Sequence, residues 1–182
     1  TGFRRSRDMT VDIIIEDARW DQLGLADLAQ TAAQAALEYF ALDPACFSIS
    51  ALGGNDARIA ELNASFRGNA AATNVLSWPS LERAAPHPGG RPLLPRAEET
   101  SELGDIALAY ETCHREAVLA ERLLSDHVLH LLVHGILHLL GYDHLNDQDA
   151  MLMESIEIEI LKVLGVENPY NDRGDMLGIL ER

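Results

Sequence analysis

Between Ser125 and Leu140 the chain is apolar almost all the way round a helix. Val128, Leu129, Leu131, Leu132, Val133, Ile136, Leu137, Leu139 and Leu140 leave no polar face. Such a helix is buried on every side, so the rest of the chain has to be wrapped around it. The same segment carries His127, His130, His134 and His138. Each needs a partner, because burying an unpaired polar group is costly. The most apolar part, Val128 to Leu140, falls short of the ~18 residues of a membrane span and holds three histidines. With 182 residues, 47% hydrophobic and 24% charged, the chain suits one globular domain and excludes disordered and collagen-like architectures.

The elements available to surround that helix follow from periodicity. Val11 to Ile15 (VDIII) is β-branched and is expected as a strand. Leu23 to Leu42 has helical spacing and is closed by Asp43-Pro44. Cys46 to Leu52 alternates as a strand does, with Gly53-Gly54 expected to break it. Asn55 or Asp56 caps a helix expected through Ala64. Thr73 to Trp78 is a strand stopped by Pro79, and Gly104 to Tyr110 is another. Residues 80–101, with four prolines and a Gly-Gly pair, are expected as a long mobile loop. Three helices then cover Glu111–Leu124, Ser125–Leu140 and Asp147–Leu164. The order β-α-β-α-β-loop-β-α-α-α predicts a layered α+β (α/β) single domain over residues 11–170, with about four strands in a mixed sheet. Residues 1–10 are expected to be disordered or extraneous, and 171–182 a tail.

The chemistry concentrates in HGILHLLGYDH, His134 to His144. His134 and His138 stand at i, i+4, so both imidazoles leave one helix face, with Cβ atoms ~5–6 Å apart. That spacing suits two ligands of one zinc. His144 would lie ~15 Å along the axis of a continued helix, so it reaches the same metal only if the chain turns back. Gly141 sits where that turn is needed and takes the left-handed conformation freely. The result is a buried metal-bearing helix with a zincin-like three-histidine site and a fourth position open, as in catalytic zinc sites. His127 and His130 share the stripe, and His130/His134 is an equally spaced pair. Neither explains Gly141, so both are placed behind the ligands or in the core. Asp143 either orients a ligand histidine or belongs to the turn.

The spacing H-x-x-x-H-x-x-G-x-x-H is that of metzincin proteases, but Gly135 stands where they carry a general-base glutamate. Peptide hydrolysis by the usual route would lack its proton acceptor. Net charge speaks against nucleic acid, since 29 acidic residues against 14 basic ones give −15, and phosphate binding usually leaves a basic footprint. The acidity is uneven, however: −4 over residues 1–100 and −11 over 101–182. All basic residues but Lys162 are arginine, the side chain suited to bidentate phosphate contacts. Two cysteines, Cys46 and Cys113, make no disulfide framework and fit a reducing cytosol.

The hallmark HGILHLLGYDH resembles that of the YbeY family of bacterial endoribonucleases and rRNA maturation factors. The resemblance extends to ELNASFRGNAAATNVLSWP (Glu61 to Pro79), to LGDIALA (Leu103 to Ala109) and to a tail through Glu154, Glu157, Leu164-Gly165 and Asn168-Pro169-Tyr170. Trp78 replaces a usual Phe, and Gly68 to Ala72 lack the charges relatives often carry. The resemblance implies a zinc-dependent, single-strand-specific endoribonuclease in 16S rRNA 3′-end maturation and ribosome quality control. It implies a cytoplasmic location and one Zn²⁺ on His134, His138 and His144. Its partners would be rRNA, the small ribosomal subunit, ribosomal proteins and an assembly GTPase, with no membrane. Arg67 falls on the family's arginine and would grip the phosphodiester as the catalytic cation; as an isolated residue it fits a surface salt bridge equally well. Two other readings stand beside this one. The metzincin-like spacing suggests another metal-dependent hydrolase, a peptidase or esterase. The missing base and the charge suggest a non-catalytic ribosome-assembly factor with structural zinc.

Overall fold

The computed structural model describes residues 10–68 and 73–171. Most of the expected 1–10 and 171–182 segments, and most of the uncharged stretch after Gly68, therefore lie outside the described residues. The elements are β1 (Val11–Ile15), α1 (Ala18–Leu23), α2 (Leu25–Tyr39), β2 (Ser48–Gly54), α3 (Asp56–Arg67), β3 (Val75–Pro79), β4 (Glu102–Ala109), α4 (Tyr110–Leu119), α5 (Leu124–Leu139) and α6 (Asp147–Val163). A single 3₁₀ turn, Pro44–Cys46, precedes β2. The domain is α+β, with four strands in the order β1-β2-β4-β3. β1 and β4 run parallel to β2, while β3 is antiparallel to β4. Pro79 ends an edge strand, where a missing N–H is tolerated.

Alternation along the strands sorts the two faces. Ile106 and Leu108 of β4 join the main core under α2 and α5, while Ala107 and Ala109 pack with Ile59 of α3 and Leu76 on the opposite face. α5 is the hub, packed against α2, α4, α6, β3 and β4. Eleven of its residues are buried, His127 and His130 among them. Gly135 lets it approach the sheet: a Cβ there would stand 3.1 Å from Ile106 Cδ1.

Three expectations are corrected. The helix expected over Leu23–Leu42 is α2, trimmed to Leu25–Tyr39, and an unexpected helix, α1, precedes it across Gly24, which takes φ +83 and caps both. Gly53-Gly54 does not break β2 but completes it. A Cβ on Gly53 would lie 2.7 Å from Trp20 and Leu25, and the buried Trp20 indole donates to the Gly54 carbonyl at 2.8 Å. These glycines therefore serve a close helix–strand approach. α3 also runs past Ala64 to Arg67, where Gly68 closes it at φ +69.

Candidate functional site

The turn after α5 is built as a Schellman motif. Gly141 N–H donates to the His138 carbonyl and Tyr142 N–H to the Leu137 carbonyl, both at 3.0 Å, with Gly141 at φ +101. A second constraint also selects glycine: a Cβ on residue 141 would lie 2.6 Å from the Arg83 carbonyl oxygen. The turn then reaches back to α5, since the Tyr142 carbonyl accepts from His138 Nδ1 at 2.9 Å. Asp143 accepts the His144 backbone N–H at 2.7 Å within the turn. His144 is swung against the helix pair, its ring centroid 5.4 Å from His134 and 5.1 Å from His138.

His134, His138 and His144 each offer a ligand atom, all within 4.8 Å of one another. The donor set fits a zinc ion on a specific ground. A carbonyl and a carboxylate can only accept, so His138 Nδ1, facing the Tyr142 carbonyl, and His134 Nδ1, 3.3 Å from Glu157 Oε2, both carry the ring proton. Both Nε2 atoms are then bare lone pairs, and they face each other at 3.0 Å. Two lone pairs at that distance repel unless a proton or a metal ion lies between them. Tetrahedral zinc with Zn–N of ~2.0–2.1 Å would separate two nitrogens by about 3.3 Å. Burial, with His134 and His144 alongside, lowers the His138 pKa to about 4, which keeps the imidazole neutral and able to ligate.

Behind His134 lies Glu157 of α6, fully buried. The Tyr170 hydroxyl donates to its Oε2 at 2.9 Å, the oxygen that also faces His134. His130 Nε2 stands 2.8 Å from Oε1, off the line of a hydrogen bond. Burial pushes the Glu157 carboxyl up, but His134 and His130 outweigh it and hold the group well below the usual carboxylate range. The sequence places Glu157 within the family's tail without assigning it a role. The available signal was its position on the buried stripe Met153, Ile156, Glu157, Ile160, Leu161: an acid there has to be satisfied by something polar. His127 lies in a separate network, 2.8 Å from Glu116, whose carboxylate also accepts from the Asn74 amide.

The histidines open onto a cleft of about 360 Å³, walled by Arg67, Asn74, Ser77, Glu82 and Arg83. Arg67 ends α3 and donates to the Ser77 carbonyl of β3 at 3.0 Å. Among the described residues this is the one hydrogen bond of the guanidinium, which has further N–H donors to offer a ligand. Of residues 80–101, Glu82 to Ala84 line the cleft, and the segment is fastened to α6 by Gly89 N–H donating to Asp149 at 2.7 Å.

An α+β domain with a cleft of three histidines that could hold a metal, at the end of a buried helix, is the class of protein that fold and site define. The chain belongs to the YbeY family: residues 11–165 match the model described as Endoribonuclease YbeY. A protein of that name from Ruegeria sp. (strain TM1040) is 51% identical over 89% of this chain and 96% of its own length. Another from Dinoroseobacter shibae is 53% identical over 88% and 90%. The solution structure of a Thermotoga maritima protein shares the fold, with TM-score 0.52 and 21% identity over 91% of this chain and 99% of that one. No helix among the described residues is long and apolar enough to cross a membrane.

Proposed function

We propose that the protein is an endoribonuclease that cleaves RNA in the His134–His138–His144 cleft with one zinc ion per chain. The observation that carries this reading is the pair of bare Nε2 atoms 3.0 Å apart, opening into a cleft that Arg67 shares. A zinc ion held there supplies Lewis acidity toward a phosphoryl oxygen. Arg67, anchored on Ser77, presents its remaining donors to the phosphodiester and offsets charge developing on it. Tyr142 and Glu157 hold the two ring protons on the Nδ1 side, so His138 and His134 keep their Nε2 atoms turned toward the cleft. The relatives bear the name endoribonuclease, which supports RNA as the substrate. We place the activity in 16S rRNA 3′-end maturation on the small ribosomal subunit, in the cytoplasm. The peptidase reading is weaker because Gly135 is turned onto Ile106 of the sheet, so the position of the metzincin glutamate faces the core.

Purified protein incubated with 16S rRNA precursor and with casein, with and without a zinc chelator, tests the reading. RNA cleavage that the chelator stops is expected, with casein intact. Arg67→Ala is expected to lower cleavage ~10²–10³-fold while zinc content and Tm stay near wild type. Casein hydrolysis, or full RNA cleavage by Arg67→Ala, would overturn the assignment it concerns.

A further inference from the structure

The cleft lined by Arg67 is lined by a second arginine, Arg83, whose circumstances differ from those of the other described arginines. Arg83 is half-buried and lines the cleft together with the three histidines. Its backbone is fixed, because its carbonyl is seated against Gly141 at the turn that delivers His144. The other described arginines are engaged. Arg19, Arg58 and Arg96 pair with carboxylates, Arg67 and Arg122 donate to backbone carbonyls, Arg115 donates to Thr112, and Arg91 bonds Tyr142. Arg83 has neither a carboxylate nor a hydrogen-bond partner among the described residues, in a chain with about twice as many acids as bases. An unneutralised arginine lining a polar cleft suits an anionic ligand.

We infer that Arg83 binds a second phosphate of the RNA, next to the phosphodiester at the histidine centre, so that a single strand is held between Arg67 and Arg83. The inference rests on the RNA reading above and extends it to a substrate that must offer at least two phosphates. A lone mononucleotide diester would miss this contact. Because Glu82 and Asp143 also line the cleft, the two arginines only balance the local acids. Losing one of them is therefore felt strongly in an otherwise repulsive field.

Binding of a short 2′-O-methyl single-stranded RNA to the zinc-loaded protein, followed by fluorescence anisotropy across a salt series, tests this. Each phosphate contact to a single strand contributes ~0.7 to the slope of log K against log salt. Arg83→Ala is expected to reduce the slope by about 0.7 and to raise KM for RNA cleavage about tenfold, a typical loss for a charge-assisted contact, with zinc content and Tm unchanged. Arg83→Lys is expected to restore the slope and only part of the KM. Arg96→Ala, an exposed arginine paired with Glu99, serves as control and is expected to keep the wild-type slope. A wild-type slope in Arg83→Ala, from a protein that still cleaves RNA, would overturn the phosphate contact and leave the endoribonuclease reading standing. Wild-type protein that neither binds nor cleaves RNA would overturn both.

Discussion

Two glycines end helices in the same way and differ in what surrounds them, which makes Gly141→Ala a measurable perturbation when set against Gly165→Ala. Both occupy the left-handed position of a Schellman motif, at φ +101 and +74. Alanine there is destabilising by about 1–2 kcal/mol through backbone strain alone. At Gly165 nothing lies within 4 Å of the added carbon, so that figure is the whole effect. At Gly141 the carbon meets the Arg83 carbonyl at 2.6 Å, and backbone rather than a flexible side chain has to move. Overpacking of that kind adds about 1–3 kcal/mol. For a domain of this size each kcal/mol shifts Tm by about 2–4 °C. Gly165→Ala should therefore lower Tm by about 3–6 °C and Gly141→Ala by about 6–15 °C, read by calorimetry on metal-free protein. Only Gly141→Ala should also weaken zinc binding, because displacing Tyr142 loosens the carbonyl that fixes His138. A competitive chelator titration should show a loss of about 10–100-fold. Equal melting shifts with wild-type zinc affinity in both variants would refute the coupling between turn and site.

Other consequences are open to single measurements. Glu157→Gln keeps the shape but removes the charge behind His134, and should weaken zinc binding about 10–100-fold by chelator competition while stoichiometry stays at one. Ala41 and Glu121 hold positive φ in the same kind of motif (+56 and +53), so Ala41→Gly and Glu121→Gly should each raise Tm by about 2–4 °C. Thiol titration of folded protein should show one fast cysteine, the exposed Cys46, because Cys113 is buried and its thiol pKa is raised well above the ordinary value by that burial. Two fast thiols would contradict the packing of α4.

What was legible in the sequence follows from the range over which each residue acts. The four strands, the buried helix and the return of His144 past Gly141 rest on local spacing, and the structure brings those histidines together. The short helix α1 was not legible, because its six residues carry too few apolar positions to show a period, and it ends at Gly24 in the left-handed conformation. Gly53-Gly54 suggested a break for a different reason: the Trp20 and Leu25 side chains that require those glycines come from helices on the far side of the crossover. Glu157 meets His134 across 23 positions, and Arg83 meets Gly141 across 58, and neither distance leaves a periodic trace. Asp143 stood equally for the turn or for a ligand's support, and its Oδ1 accepts the His144 N–H in the turn.

The claim that the three-histidine cleft cuts RNA is tested most directly by restoring zinc to chelated protein while single-turnover cleavage of a 16S rRNA precursor is followed. The metal-free protein should remain folded by circular dichroism, since the main core is built around α5 without the metal. Cleavage should then rise with added zinc and level off at one equivalent per chain, and His138→Ala should show no such rise. Undiminished cleavage by the metal-free protein, or by His138→Ala, would contradict the account.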